Sequence, residues 1–447
     1  MNFEKIKEII DRTSAEKGIT EYEIFYMSSS STSLEALGDE ISSFALSENG
    51  GLCYRCVHNG AMGYASTQLM EEEEMISLVE RAISAAENTE KKDEVGIYAG
   101  GEEYVPLSES DYEAPSAEEM KKSTLELQRA IYNSSEYVTD GTQAVVETES
   151  VSIKLANSHG VELSLSTGAA LAVAVAIVKK DGQSEDSYEF AEYSDTLDMD
   201  VLASSASEKA LQKIGASSVE SGKYTLVISS EEMRSLLSVF SSAFSAKNAQ
   251  LGLSLLNGKE GEKIASDIVS VIDDPMKEGF KYRINFDSEG VPTYKKTVIE
   301  NGVLKTLLHN RETAKKAGVR TTANASKASY QSPVNIRPYA FYIDKGEYSL
   351  DGLFALAENG IYITGLSGLH AGANAVTGDF SLQSEGFLIE NGKKASPVKT
   401  FTISGNFFEL LKNIEALEDK IDFGVPHGFT AFGSPAALIR NMSVAGK

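Results

Sequence analysis

The chain has 447 residues, 42% of them hydrophobic, and its 66 acidic and 41 basic side chains give a formal net charge of −25. A chain of this length can bury large cores, and the length predicts two or three domains. So acidic a surface repels phosphate backbones and anionic lipids, which argues against nucleic acid and membranes as partners. We therefore expect a soluble, cytoplasmic protein.

Two local patterns agree with this expectation. Residues 1–7 mix charged and apolar side chains and lack the continuous apolar stretch of a signal peptide. The longest apolar run covers residues 169–178, which is too short for a membrane helix of about 20 residues. We predict that this run is a buried strand.

The first half is predicted to combine amphipathic helices with short strands linked by tight turns. The predicted helices lie at 3–17, from Glu71 onward, at 116–132 and at 198–214. The predicted strands lie at 22–27, 33–37, 41–47, 51–58, 62–66 and, with a turn at 157–160, within 137–178. Turn-forming residue pairs at 38–39, 49–50 and 59–60 separate the early strands.

Cys53 and Cys56 are the two cysteines of the chain, and their C-x-x-C spacing occurs in redox and metal sites. Their surroundings predict a strand, however, on which residues three apart point to opposite faces of the sheet. The sequence has no second C-x-x-C that would complete a zinc site. We therefore interpret both cysteines as structural.

A segment rich in Gly and Ser at 215–223 predicts the boundary between two domains, 1–220 and 221–447. Each domain is predicted to be α+β, with mainly antiparallel β-sheet packed with helices. The second domain is predicted to contain a strand at 224–228, helices at 231–246, 311–317 and 406–415, and hairpin turns at the Asn-Gly pairs 301–302 and 391–392.

The predicted helix 231–246 has two different faces. Apolar side chains recur at helical spacing along one of them, namely Met233, Leu236, Leu237, Phe240, Ala243 and Phe244. The opposite face carries Ser238, Ser241, Ser242 and Ser245, and such small side chains allow another segment to approach closely. This face either packs against a strand or a partner subunit, or lines a vestigial cleft. Ser241 and Ser245 are therefore candidate contacts for a peptide or a partner.

Of the five histidines, His370 has the most distinctive setting, a glycine-rich loop at 365–380 that also contains Asn374 and Asp379. Glycine lets a backbone pass close to a ligand or another chain. The three residues are therefore candidates for binding a peptide or a cation, and capping of the loop is the alternative. The histidines do not occur at the close spacing of a local metal chelate.

The acidic pair Asp273 and Asp274, which precedes Pro275 and is followed by Asp287 and Glu289, permits two interpretations. Carboxylate groups of this kind serve Mg²⁺ binding or acid–base chemistry. Adjacent aspartates before a proline are also common turn formers, and we favour a turn.

Taken together, several segments resemble the PmbA/TldD family in their order and spacing. They are LSLL (253–256), GKEGEKIAS (258–266), VIDDP (271–275), DSEGVPT (287–293), TGDF (377–380), IENGK (389–393) and SVAG (443–446). The resemblance extends over nearly the whole chain.

The resemblance implies a zinc site in the TldD branch of the family, built from HExxxH on the helix after the domain boundary and a cysteine near the C-terminus. The His, Glu and His positions fall at Leu237, Ser238 and Ser242, and residues 421–435 contain no cysteine. Such side chains neither ligate zinc nor accept a proton as the glutamate would. The chain therefore resembles the PmbA (TldE) branch, with degenerate motif positions.

That branch implies a non-catalytic subunit of a TldD/TldE-type zinc metallopeptidase, paired with a TldD-type catalytic subunit. Zinc is then expected in the partner, and no cofactor is expected in this chain. The implied substrates are small unfolded peptides that are degraded or matured, and the family name also carries an association with the modulation of DNA gyrase. An extended peptide can add to a free strand edge without a specific side-chain sequence.

Two alternatives stay open at this point. The chain can act without a catalytic partner, as a homo-oligomeric peptide-binding or regulatory protein, and a homodimer of the isolated chain is compatible with the sequence. The other alternative is a hydrolase that uses an unrecognised site near His370.

Overall fold

The computed structural model describes residues 1–92, 95–108, 110, 112–194 and 196–447. Both halves combine helices with sheets in which antiparallel pairing predominates, so the predicted α+β class is confirmed. Among the described residues, no helix is both long enough and apolar enough to cross a membrane.

The N-terminal half forms one antiparallel sheet with helices on one of its faces. Its strands are β1 (Tyr22–Leu37), β2 (Glu40–His58), β3 (Ala61–Thr67), β4 (Gln143–Asn157), β5 (Glu162–Lys180) and β6 (Gln183–Glu192). Its helices are α1 (Phe3–Glu16), α2 (Glu72–Glu87), α3 (Ala117–Ser134) and α4 (Met199–Gln212). The strand order is β3-β2-β1-β4-β5-β6.

The strands of this sheet are longer than predicted. The turn predicted at Asn49-Gly50 is wrong, because these residues lie inside β2 and pair with Ser29 and Ser28 of β1. Strand β1 is paired on both sides, so the ladder of interstrand hydrogen bonds overrides the local turn preference. The turn at Asn59-Gly60 is confirmed, and both of its residues have positive φ.

The two cysteines face opposite sides of the sheet, as predicted. Cys56 packs with Ile24 and Tyr54 under helices α1 and α2. Cys53 packs on the other face, with Phe25 and the residues that contact the C-terminal half. Both thiols are buried and free, so each serves as a small apolar core residue.

The C-terminal half contains two larger sheets. Its strands are β7 (Gly222–Ile228), β8 (Val271–Asp273), β9 (Lys296–Glu300), β10 (Val303–Leu304), β11 (Ala325–Ser326), β12 (Asn335–Ile336), β13 (Ala340–Ile343), β14 (Gly360–Ser367), β15 (Asp379–Glu390), β16 (Lys393–Asn406), β17 (Ile414–Leu417), β18 (Asp422–Phe423), β19 (Ala431–Ser434) and β20 (Ala437–Ala445). The sheet orders are β10-β9-β8-β13-β19-β18 and β16-β15-β14-β7-β20-β17, and β11 pairs with β12. Pairings β7–β14 and β13–β19 are parallel.

The helices of this half are short. They are α5 (Ser230–Phe240), α6 (Ala246–Gln250), α7 (Arg311–Ala317), α8 (Leu350–Ala357), α9 (Leu369–Gly372) and α10 (Phe407–Lys412), with a 3₁₀ helix at Ser241–Phe244. The predicted helix 311–317 is confirmed, as are the Asn-Gly turns at 301–302 and 391–392, where Asn301 and Asn391 have positive φ.

The C-terminal half covers the face of the N-terminal sheet that its helices leave free. Phe25, Val151 and Ile153 of the sheet form a buried cluster with Phe286 and Tyr339 of the C-terminal half. Each large sheet takes its strands from one half only, while this cluster takes residues from both. The division at residue 220 stays a prediction, because the two halves share this core.

A buried ion pair lies at the edge of the shared core. The Nε and Nη2 atoms of Arg55 donate to the two carboxylate oxygens of Glu23, each at 2.8 Å, and both side chains are almost completely buried. The Nη1 atom of Arg55 lies 3.8 Å from a carboxylate oxygen of Glu289, which belongs to the C-terminal half. The other carboxylate oxygen of Glu289 accepts from the backbone N–H of Arg311. The guanidinium therefore connects the two halves electrostatically.

The variant Arg55→Met tests this connection, because it leaves two buried carboxylates without their cation. We expect its free energy of unfolding to fall by about 3–5 kcal/mol, since the remaining charges keep their desolvation cost. Urea unfolding followed by circular dichroism measures the loss, because the chain has no tryptophan for a fluorescence signal.

Arg12→Met is the matched control, since it removes an exposed guanidinium that lies 2.8 Å from Glu72. This change should lower the free energy of unfolding by less than about 1 kcal/mol, as is usual for exposed ion pairs. Equal losses for the two variants would contradict the assignment of Arg55 as a buried link between the halves.

Candidate functional site

Helix α5 follows directly from strand β7. The Oγ atom of Ser229 accepts from the backbone N–H of Glu232, and Glu231 and Glu232 lie in the first turn, where carboxylates complement the helix dipole. The predicted apolar stripe is confirmed, since Met233, Leu236, Leu237, Phe240, Ala243 and Phe244 are all buried in the core. The family resemblance places its motif positions on this helix and the turn after it.

The helix predicted at 231–246 is wrong in its last part. Helix α5 ends at Phe240, the 3₁₀ helix follows, and Ser245 has an extended conformation before α6 begins. Serine weakens a helix because its hydroxyl competes for backbone groups, and here the Oγ of Ser241 donates to the carbonyl of Ser238. The 3₁₀ geometry keeps Ala243 and Phe244 in the core despite the break.

The break separates the serines that were predicted to share one face. Ser238 and Ser241 are half-buried, Ser242 is exposed, and its carbonyl accepts from the side chain of Asn248. Ser245 is buried, and the contact of Ser241 and Ser245 with a peptide or a partner stays a prediction. The serines therefore do not form a continuous surface.

The three motif positions do not fit a zinc ion. Leu237 is completely buried in the core and carries no donor atom, and Ser238 and Ser242 offer neutral hydroxyls, which are not the usual ligands of zinc. Within the described ranges, no three His, Cys, Asp or Glu residues are grouped so that they could hold a metal ion. The helix keeps its place in the fold with side chains of a different chemistry.

The first turn of α5 also contacts the N-terminal half. The hydroxyl of Tyr188 on β6 donates to Glu231 at 2.6 Å, and Arg234 forms ion pairs with Glu231 and Asp422. Glu232 is buried beside them. Burial, and then the nearby charge of Glu231, raise the pKa of the Glu232 carboxyl to about 8. It is therefore largely protonated at neutral pH.

The segment 365–380, predicted as a loop, contains the end of β14, helix α9 and the start of β15, and it uses its polar groups for its own structure. The side-chain oxygen of Asn374 accepts from the backbone N–H groups of Val376 and Thr377. The carboxylate of Asp379 accepts from the amide of Asn406, which lowers the pKa of that carboxyl. His370 is exposed on the short helix α9. This arrangement matches the capping alternative, and a role of these residues in ligand binding stays a prediction.

The acidic pair at 273–274 is only partly a turn. Asp274 forms the predicted turn, since its side chain accepts from the N–H of Met276. Asp273 is instead the last residue of β8 and is completely buried, with its carboxylate 2.9 Å from Nζ of Lys296 and 2.7 Å from the amide of Asn324. Its charge is neutralised within the core, so it has a structural role.

A cleft of about 540 Å³ lies between the two halves. One wall is the open face of β1 and β4, with small polar side chains and the carboxylates of Glu147 and Glu149. The other wall carries Lys327, Arg337 and His427 from two segments of the C-terminal half. Sequence reasoning missed this group, because its members come from distant segments and belong to no motif. Glu147, Glu149 and Val151 lie two residues apart and therefore on one face of a strand. This change from polar to apolar side chains along one face was the only sign of the cleft in the sequence.

The variant Glu232→Gln tests the burial of this carboxyl through pH dependence. In the folded chain Glu232 keeps its proton up to about pH 8, whereas the ordinary pKa of a glutamate, which applies to the unfolded chain, is 4.5. The free energy of unfolding therefore falls as the pH rises from 4.5 to 8. Glutamine removes this loss. We expect Glu232→Gln to be more stable than the wild type by about 2–4 kcal/mol at pH 8.5 and by less than about 1 kcal/mol at pH 5.

Urea unfolding at the two pH values checks this expectation, and Glu347→Gln serves as the control because Glu347 is exposed. If the difference in free energy of unfolding between Glu232→Gln and the wild type is the same at pH 5 and at pH 8.5, the carboxyl ionises normally.

Family models match three parts of the chain. They are PmbA/TldA metallopeptidase domain 1 at residues 22–86, the central domain at 110–214 and the C-terminal domain at 221–446. The first two matches share the single sheet of the N-terminal half. The third contains α5 and all strands from β7 to β20.

Individual relatives agree with these matches. A metalloprotease of Methanothermobacter thermautotrophicus is 35% identical over 263 residues, so the chain spans about half of that relative, 56% of each sequence. A structure described as a candidate modulator of a DNA gyrase, from Thermotoga maritima, is 29% identical with a TM-score of 0.89 over 99% of this chain and 100% of that one. TldE from Thermococcus kodakarensis is 23% identical with a TM-score of 0.87 over 99% and 100%, which is a likeness of fold. The chain belongs to the PmbA/TldD metallopeptidase family.

Proposed function

We propose that the chain is the non-catalytic subunit of a cytoplasmic TldD/TldE-type zinc metallopeptidase complex that degrades or matures small unfolded peptides. The observation that carries this proposal is the chemistry of α5. A completely buried leucine, Leu237, occupies the first motif position, and the serines Ser238 and Ser242 occupy the other two. A chain with these residues keeps the fold of the peptidase family and leaves zinc, ligands and general base to a TldD-type partner.

The free edge of β2 offers a surface for that partner. Strand β3 pairs with β2 only from residue 52 to residue 58, so the outer edge of residues 40–51 has no strand partner among the described residues. Phe44 and Leu46 are 57% and 62% exposed there, and residues 41–47 contain no charge and no proline. Proteins usually protect a free strand edge with charged residues or proline, and this edge has neither between residues 41 and 47. Two chains meet with least repulsion at an uncharged surface if both are acidic.

The same edge favours one second candidate, a homo-oligomer that binds peptides or regulates without a catalytic partner. Antiparallel pairing of two copies around Ala45 would place Phe44 of each copy opposite Leu46 of the other. Such a contact is self-complementary, as two-fold symmetry requires. The net charge of −25 gives no support to direct contact with DNA, although one relative is described as a candidate modulator of a DNA gyrase.

Reconstitution of peptide cleavage tests the proposed function. The isolated chain, loaded with zinc, should not cleave an unstructured reporter peptide with a fluorophore and a quencher. A mixture with the HExxxH-bearing family member of the same organism should cleave it, because zinc lowers the pKa of its bound water to about 7 only where ligands hold it. Chelation should abolish the activity of the mixture.

The HExxxH-bearing chain alone is the necessary control in this assay. If it cleaves the reporter as fast without the present chain as with it, the role of a subunit is contradicted. Zinc-dependent cleavage by the present chain alone would contradict its assignment as non-catalytic.

The variant Leu46→Lys tests the partner surface on β2. A lysine on a free edge opposes strand pairing, so we expect the affinity for the partner subunit to fall at least about tenfold, which corresponds to about 1.4 kcal/mol. Leu251→Lys is the control, because Leu251 is 64% exposed at a distant position. Analytical ultracentrifugation or interferometry measures the affinity.

The free energy of unfolding of both leucine variants should lie within about 0.5 kcal/mol of the wild-type value, as is usual for exposed positions. If Leu46→Lys and Leu251→Lys bind the partner equally well, the β2 edge is not the interface.

A further inference from the structure

The cleft between the two halves contains a buried cation that lacks an acceptor. Lys327 follows β11, and its backbone N–H donates to the hydroxyl of Ser288, which fixes this part of the chain. Its side chain is 6% exposed, and its Nζ is shielded from solvent without any hydrogen-bond partner in the part of the chain that the structure describes. The side chain lines the cleft, and Nζ lies 4.9 Å from the ring centre of Phe25.

Such an ammonium group is costly to keep. Removing it from water costs several kcal/mol, and a desolvated contact with an aromatic ring returns only part of this, about 2 kcal/mol or somewhat more. Hydrogen bonds from a cation normally offset this cost, and here they are missing. A ligand that brings a negative oxygen into the cleft would supply the missing acceptor.

The rest of the wall is consistent with an anionic group. Arg337 lines the same wall, is exposed, and forms no ion pair with a described residue. The carboxylates of Glu147 and Glu149 lie on the opposite wall, and Glu149 accepts from the hydroxyl of Tyr282 at 3.4 Å. The cleft thus has cations on one wall and carboxylates on the other. A ligand whose negative group lies against the cations, away from the two carboxylates, would fit this arrangement.

The size of the cleft is also suitable. Its volume of about 540 Å³ lies within the range of sites for small ligands, roughly 300–1,000 Å³. The wall formed by β1 and β4 has small side chains, including Ser29, Ser31 and Ser33, which leave room for a peptide backbone. The flexible four-carbon stem of Lys327 lets its ammonium turn from Phe25 toward a bound group.

We propose that this cleft binds the carboxylate of an extended peptide, with Lys327 as its buried cation and Arg337 as a second cation on the same wall. The inference rests on the proposed function, because it takes the ligand to be a peptide. The carboxylate can come from the C-terminus of the peptide or from an acidic side chain, and both offer the same oxygen atoms.

The test compares three fluorescein-labelled, unstructured peptides that share one Gly-Ser-Ala sequence. The first ends in a free carboxylate, the second in an amide, and the third in an amide with one internal glutamate. Fluorescence anisotropy measures their affinities for the full-length wild type and for Lys327→Met, which keeps the length of the side chain and removes its charge. Lys305→Met is the control, since Lys305 is exposed outside the cleft.

We expect the wild type to bind the free acid at least about tenfold more tightly than the amide, because a charged hydrogen bond contributes about 1.5–3 kcal/mol. Lys327→Met should lose this preference, and Lys305→Met should keep it. Arg337→Met, at an exposed position, should reduce the preference without affecting folding. Tight binding of the third peptide would assign the carboxylate to an acidic side chain, and weak binding would assign it to the C-terminus.

The stability of Lys327→Met is an independent readout. The variant should unfold at the same urea concentration as the wild type or at a higher one, because it removes an unpaired buried charge. A midpoint clearly below that of the wild type would show that the ammonium has a partner in the folded chain, and would overturn the inference. Equal binding of acid and amide by the wild type would overturn it too, and would leave the proposed function intact. Failure of the wild type to bind any of the peptides would overturn the inference as well, whereas the proposed function is decided by the reconstituted cleavage.

Discussion

The buried core shared by the two halves holds the N-terminal sheet on the C-terminal half, and the ion pair of Arg55 and Glu23, with its longer contact to Glu289, lies at the edge of that core. Apolar packing around Phe25 and Phe286 supplies most of the favourable free energy of this interface, since it removes large apolar surfaces from water. Buried charges add a further constraint, because a charge without a partner keeps its desolvation cost. We interpret the ion pair as the element that fixes one position of the N-terminal sheet on the C-terminal half. Lys327 lines the cleft that lies between the two halves.

Helix α5 has a structural part in the fold that does not depend on metal binding. The helix contributes Leu236, Leu237 and Phe240 to the core, and its first turn is linked to the N-terminal half through Tyr188 and Glu231. These contacts are structural and do not depend on metal ligands. Leu237 adds to the core, and its side chain offers no donor atom for a metal ion.

Local signals in the sequence were sufficient for much of the fold. The Asn-Gly pairs at 59–60, 301–302 and 391–392 form turns, because the backbone of both residues accepts positive φ. Side chains alternate between the two faces of a strand, and this correctly predicted that Cys53 and Cys56 point to opposite faces of the sheet. Long-range pairing explains the main failure in the first half, since Asn49-Gly50 has the same turn signal and is nevertheless held in β2 by β1.

The candidate site was less predictable. The break after Phe240 depends on a side-chain to backbone hydrogen bond of Ser241, which a periodicity of apolar residues does not reveal. Asp273 looked like a turn residue, although its carboxylate is held in the core by Lys296, more than twenty residues later. Lys327 has no motif around it, and its position opposite Phe25 follows only from the packing of the two halves. The family resemblance assigned the motif positions 237, 238 and 242 from the order of the segments, and this assignment stays a prediction.

The most direct test of the account is the identity of the partner in the cell. The tagged chain would be purified by affinity at its native expression level, and proteins recovered in stoichiometric amounts would be identified by mass spectrometry. The account predicts that a family member with an intact HExxxH motif is recovered together with this chain. Recovery of the chain alone, as a monomer or as a complex with itself, would contradict the central claim that it is one subunit of a two-chain peptidase.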